Sequence, residues 1–105
     1  MKAKKATVKA ADSFFEGLLK DPEIRLHYEE ERARTSLAAA VRAARTRAKL
    51  TQAQLAKKIG TSQSVIARLE SGTDRRMPSL SFLARIAAAC HGELELGFRF
   101  KKSAA

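Results

Sequence analysis

Between Leu50 and Gly72 the chain has room for two short helices and the turn that joins them, and for little else. Thr51, followed three residues later by Gln54, is a capping box: each side chain satisfies a backbone N–H that the start of a helix leaves without a partner. Leu55, Ala56 and Ile59 fall at helical spacing, and Gly60 stops the helix because glycine enters the left-handed region without a Cβ penalty. Thr61 or Ser62 caps the next helix, which turns Val65, Ile66 and Leu69 inward and closes at Gly72. Ala56 is small where the two helices must cross. The outward face of the second helix is left with Gln63, Ser64, Ala67 and Arg68.

The flanks extend the pattern. Leu37, Val41 and Ala44 mark one face of a preceding helix that ends near Lys49. After the loop 73–78, which carries Arg75 and Arg76, Ser79 caps a helix with Leu80, Leu83, Ile86, Ala87 and Cys90 on its inner face, ended by Gly92. The period then changes to two. Leu94, Leu96, Phe98 and Phe100 alternate with Glu93, Glu95, Gly97 and Arg99, which predicts a half-buried strand. A lone strand leaves its backbone groups unpaired, so it needs a second edge. The simplest is the same strand of a second copy, with an N-terminal arm or a different protein as alternatives. Upstream, residues 1–11 read as a frayed tail and 12–20 as a short helix with the i,i+4 pairs Phe14/Leu18 and Phe15/Leu19. Asp21-Pro22 starts another helix on which Ile24 and Tyr28 share a face before the acidic run Glu29–Glu31.

Charge narrows the function classes. The formal net charge is +10. Residues 1–36 carry eight Lys/Arg against seven Asp/Glu, a net of +1, and residues 37–105 carry thirteen against four, a net of +9. A compact basic domain attracts polyanions, although charge by itself says nothing of fold. With Cys90 as the only cysteine there is no disulfide framework and no zinc ligand set. His27 and His91 have no ligand partners at metal spacing, so neither metal nor cofactor is expected. Ser62, Ser64 and Ser71 lack a neighbouring base, so no enzyme is expected either. No apolar run approaches the ~20 residues of a membrane span, and no signal peptide is expected.

The arrangement Leu50-Thr51-Gln52, Leu55-Ala56, Ile59-Gly60-Thr61-Ser62-Gln63, Ile66, Leu69-Glu70, Gly72 resembles the Xre family of helix-turn-helix regulators, the family of the phage Cro and C1-type repressors. The resemblance implies an all-α, Cro/C1-type helical bundle over 37–92, here with an N-terminal helical extension (1–36) and a C-terminal dimerisation β-strand with a basic tail (93–105). It implies that Gln52 contacts a DNA phosphate, that Thr61 and Ser62 anchor the backbone, that Gln63 and Ser64 read bases, and that Arg68 reaches a guanine or a phosphate. Base chemistry agrees, since Gln pairs bidentately with adenine N6/N7 and Arg with guanine O6/N7. Arg45 and Glu70 match a structural ion pair, with a phosphate role for Arg45 as the lesser reading. Arg42, Arg47, Lys49, Arg75 and Arg76 are further candidates for the DNA backbone, Arg75 first among them.

The flanks are similar to the HigA-like antitoxins of type II toxin–antitoxin modules, through the Asp-Pro-Glu step, the Tyr-Glu-Glu run, the Ser62–Gly72 stretch, the Pro-Ser-Leu helix start and the closing strand. That likeness implies a cytoplasmic, nucleoid-associated homodimer which represses its own operon at an inverted repeat and neutralises a RelE/HigB-like ribonuclease toxin. Phe14, Phe15, Leu18, Leu19, Ile24 and Tyr28 are the expected toxin contacts, and Leu94, Leu96 and Phe98 the expected dimer contacts. The apolar N-terminal stripes either complete the core or order on a partner, because isolated helices this short are marginal in water. The rivals are a stand-alone repressor without a toxin and an adaptor whose main activity is binding protein.

Overall fold

The computed structural model describes residues 13–100; the expectations for the tail 1–11, for Asp12 and for the basic tail 101–105 lie outside it. Within the described residues five helices follow one another: α1 (13–18), α2 (Pro22–Arg47), α3 (Gln52–Ile59), α4 (Gln63–Ser71) and α5 (Leu80–Ala89). The chain divides between Ser36 and Leu37 into two compact units.

In the first unit, α1 closes with a turn in which the Leu19 N–H donates to Phe15 O at 3.0 Å and the Asp21 N–H donates to Leu18 O at 3.1 Å. Asp21 then caps α2, its Oδ1 accepting from the Glu23 N–H at 2.9 Å, with Pro22 at the first helical position. Phe15 and Tyr28 meet edge to face, their centroids 4.9 Å apart and their planes at 86°. The two helices expected around Asp21-Pro22 and Leu37 are one helix of 26 residues. Between Glu23 and Arg47 the sequence offers neither Gly nor Pro, and its Glu, Arg, Ala and Leu residues are strong helix formers, so nothing interrupts the backbone ladder.

The second unit holds the core. Leu55 and Ile66 are fully buried, and Val41, Ala56, Ile59, Leu69, Ile86 and Cys90 surround them. Full burial of one such aliphatic side chain contributes roughly 1.5–3 kcal/mol. Phe82, Leu83, Ala48 and Leu50 pack against this cluster. Leu80, expected inside, is 60% exposed. It lies six residues before Ile86, which at helical geometry turns it about 120° from the buried face.

Helix ends follow the caps. Thr51 and Gln54 form the capping box at the start of α3, with the Gln54 N–H donating to Thr51 Oγ1 at 3.0 Å and the Thr51 N–H to Gln54 Oε1 at 2.8 Å. Gly60 (φ 76°) and Gly72 (φ 74°) take the left-handed conformation that ends α3 and α4. α2 and α5 end the same way without glycine. Lys49 (φ 59°) and His91 (φ 61°) occupy the left-handed positions, and the following N–H groups of Leu50 and Gly92 reach back to Arg45 O at 3.1 Å and Ala87 O at 2.8 Å. α5 therefore stops at Ala89, with His91 and not Gly92 making the turn.

Residues 92–100 form neither helix nor strand in the single chain. A strand is defined by the partner it bonds to, and no second edge lies in the described chain to supply one. No helix among the described residues is long and apolar enough to cross a membrane.

A left-handed non-glycine residue costs about 1–2 kcal/mol, part of which glycine gives back in unfolded-state entropy. Lys49→Gly is therefore expected to stabilise the second unit by roughly 0.5–1 kcal/mol, whereas Gly60→Ala destabilises it. Denaturant unfolding of both variants against the parent checks the pair; a Lys49→Gly protein less stable than the parent would contradict the cap assignment.

Candidate nucleic-acid interface

α4 owes its position to one buried carboxylate. Glu70, only 4% exposed, accepts two bonds from Arg45 of α2, Nε to Oε2 at 2.6 Å and Nη2 to Oε1 at 2.9 Å. Arg45 also donates through Nη1 to Leu50 O at 2.8 Å, and Arg42 donates to the backbone oxygen of Glu70 at 3.0 Å. Burial alone raises the Glu70 pKa, but the hydrogen bonds from Arg45 and Gln52, with the positive charges of Arg45 and Arg42, hold it below the ordinary carboxylate value. The same contact raises Arg45 above its own. Burial pushes the Cys90 thiol up, as suits a small apolar filler rather than a nucleophile.

The network reaches the surface. Gln52 Nε2 donates to Glu70 Oε1 at 3.2 Å, and Gln63 Nε2 donates to Gln52 Oε1 at 3.5 Å. The orientation of these amides follows from chemistry. An ionised carboxylate only accepts, so Gln52 must turn its NH2 group inward, which directs its oxygen at Gln63. Gln63 in turn spends one N–H on Gln52 and keeps its Oε1 and a second N–H. That is the acceptor and donor pair an adenine edge requires.

Beside it, Ser64 and Arg68 are exposed on the same helix, and Ala67 between them is half-buried. Thr61 is half-buried, and the Ser62 hydroxyl caps α4, accepting from the Val65 N–H at 3.4 Å. Arg75 is exposed in the loop after α4, where the neighbouring Arg76 N–H donates to Asp74 Oδ1 at 3.1 Å. The second unit thus brings Gln52 and Gln63 together, displays Ser64 and Arg68 on the same short helix, and carries Arg75 on the loop that follows.

The remaining site candidates lie elsewhere. Phe14 is 71% exposed and Phe15, Leu18 and Ile24 are partly so, with Leu19 and Tyr28 half-buried, all in the first unit. Leu94 is 38% exposed, Leu96 71% and Phe98 89%, in the C-terminal segment. Among the described residues no group of acids, histidines and cysteine could hold a metal ion.

Sequence reasoning missed two links. One is the amide relay between Gln52 and Gln63, eleven residues apart, for which spacing offers no signal. The other is Arg85, which donates to Ile59 O at 3.2 Å at the end of α3 and stacks over Phe82 at 5.6 Å. Arg42, expected among the DNA-facing cations, is tied instead to the Glu70 backbone.

The model of the helix-turn-helix family HTH_3 matches residues 41–96, just over half of the 105 residues. The chain belongs to that family. No curated protein and no solved structure matches it. As an HTH_3 domain of Xre type, the second unit is a sequence-specific DNA-binding regulator; α3 and α4 form its helix-turn-helix, and α4 is the helix such a motif offers to the major groove.

Arg45→Ala leaves the Glu70 carboxylate buried without its main partner. The variant is expected to destabilise the HTH_3 domain by about 3 kcal/mol, read as a fall in the unfolding midpoint. Because the Glu70 pKa is depressed in the folded state, its contribution is complete above the unfolded value of about 4.3 and is lost as pH falls through the folded value. Glu70→Gln should flatten that part of the acid-unfolding curve; an unchanged slope would mean that the carboxylate is not held low.

Proposed function

We infer that this regulator is the antitoxin of a type II toxin–antitoxin module. It represses its own operon from an inverted-repeat operator as a homodimer, and its N-terminal unit neutralises a RelE/HigB-like ribonuclease toxin. The observation that carries the DNA half of this reading is the exposed Gln63, Ser64 and Arg68 face of α4, with Gln63 oriented through Gln52 by the buried Glu70. Gln52, Thr61, Ser62 and Arg75 serve the phosphates around it.

In a two-fold repressor the two α4 helices enter successive major grooves about 34 Å apart. Repression needs occupancy and no chemistry, so no catalytic residue is assigned. Such a protein works in the cytoplasm, on the nucleoid.

The partner half rests on the N-terminal unit. Phe14 at 71% and Leu26 at 59% are left in water on this unit. Large apolar side chains exposed together mark an interaction surface. Phe14 with Phe15, Leu18, Leu19, Ile24 and Tyr28 offers apolar helical stripes of the kind a groove accepts.

The test is host growth with the neighbouring open reading frame expressed alone and then with this protein. Arrest relieved on co-expression, and lost again with Phe14→Asp, is the expected result. A neighbour that is produced but never arrests growth would reduce the reading to a stand-alone repressor. For the DNA half, Gln63→Ala should lose about 1–3 kcal/mol of preference for operator over scrambled DNA in a fluorescence-anisotropy titration. An unchanged ratio would remove Gln63 from base readout. No preference for operator even in the parent would favour a protein-binding adaptor.

A further inference from the structure

Between α4 and the start of α5 lies a hollow that the described chain does not fill. It measures about 260 Å³, and its walls include Val65 and Leu69 of α4, Met77 of the following loop and Phe82 of α5. Val65 and Phe82 are only half-buried and Met77 is 59% exposed, so three large apolar side chains still meet water around it.

Other parts of the wall carry charge. Arg68 and Arg76 line the hollow together with Asp74, which leaves one net positive charge. Asp74 Oδ1 accepts from the Arg76 backbone N–H at 3.1 Å. Neither guanidinium has a hydrogen-bond or ion-pair partner among the described residues. Apolar walls with a few polar groups converging on them are the usual make-up of a small-molecule site.

We propose that this hollow binds a small organic monoanion, a single ring bearing a carboxylate, and that the bound ligand withdraws Arg68 from DNA. The inference rests on the HTH_3 domain binding DNA and needs no toxin partner. The volume equals that of roughly nine water molecules at about 30 Å³ each, enough for one ring with its carboxylate and too little for a nucleotide.

The walls favour this class over its rivals. A DNA strand would set its phosphates against Asp74 and gain nothing from the apolar side chains. An uncharged apolar ligand would leave both guanidinia without a partner. A ring carboxylate satisfies the two at once, its ring against Val65, Leu69, Met77 and Phe82 and its oxygens on a guanidinium fork.

Arg68 links the hollow to regulation. The N–H groups that a carboxylate occupies are those that would reach guanine O6 and N7 or a phosphate, so ligand and operator compete for one side chain. Such coupling is reciprocal: the ligand weakens the operator by the factor by which the operator weakens the ligand.

Benzoate is the probe, titrated into the isotope-labelled full-length protein and followed by backbone amide shifts. Saturable shifts are expected at Leu69, Met77 and Phe82. Acetate and benzyl alcohol, which keep only the charge or only the ring, should bind at least about tenfold more weakly. Arg68→Gln and Arg76→Gln should each weaken benzoate about tenfold, with thermal unfolding as the control for folding. For the coupling, the protein first selects an operator from a pool of random duplexes. Benzoate at about ten times its Kd should then weaken that operator about tenfold against acetate of equal ionic strength, and the same benzoate concentration should have little effect on Arg76→Gln. No saturable shift at the three residues would overturn the site. Benzyl alcohol binding as tightly as benzoate would overturn the anionic class of ligand. Benzoate that binds while operator affinity stays in place would overturn the competition for Arg68. Shifts that follow protein concentration, or that arise with operator and never with benzoate, would overturn the proposal by giving the hollow to a second copy or to the DNA backbone.

Discussion

The ion pair between Arg45 and Glu70 is the contact on which the rest of the helix-turn-helix unit depends. Removing a carboxylate from water is expensive, and only a partner with matching geometry offsets it. The guanidinium fork of Arg45 provides that match with two parallel bonds, and Gln52 donates a further bond to Oε1, which it shares with Arg45 Nη2. Three helices are committed by this arrangement. α2 contributes Arg45 and Arg42, α3 begins with Gln52, and α4 ends at Glu70 and the residue after it. The apolar cluster of Leu55, Ile66 and Ile86 supplies the driving force for collapse, but apolar contacts tolerate small rotations of a helix, whereas a buried charge does not.

That distinction links the core to the DNA-facing surface. The polarity of the hydrogen bonds runs one way, from a group that can only accept, through the Gln52 amide, to the Gln63 amide. A side chain on the outside of α4 thereby inherits its orientation from a group with almost no exposure. Preorganisation of this kind spares the free protein some of the side-chain entropy that ordering Gln63 on DNA would otherwise cost.

The legible part of the structure was the part governed by local rules. Thr51 with Gln54, Ser62, Ser79, Gly60 and Gly72 mark helix ends through interactions within a few residues, and the helices begin or end beside each of them. The end near Lys49 was legible but not its left-handed turn, and the stop at His91 was not legible, because a lysine or a histidine gives no sign that tertiary packing will hold it at positive φ. Nor was the continuity of α2, since the acidic run after Tyr28 looks like a boundary in composition while presenting no obstacle to the backbone. The outward turn of Leu80 shows the same limit, an apolar residue read as core when the phase of α5 is set by Ile86 further on. At the interface, residue types pointed to the outer face of α4, but the tie between Gln52 and Gln63 is a matter of tertiary distance and has no counterpart in spacing.

The unbroken course of α2 through Ser36 and Leu37 has a practical consequence. The border between the two units is not a linker but the middle of a helix. A shortened protein starting at Leu37 would open with backbone N–H groups that in the intact chain are bonded to the preceding turn, immediately before the buried Ala38 and Val41. Fraying there would spread toward Arg45, and a truncated protein that lost DNA would be reporting a decapitated helix as readily as a missing partner surface. A serine or aspartate placed as a new N-cap separates the two causes, because it repairs the helix end and restores nothing of the N-terminal unit.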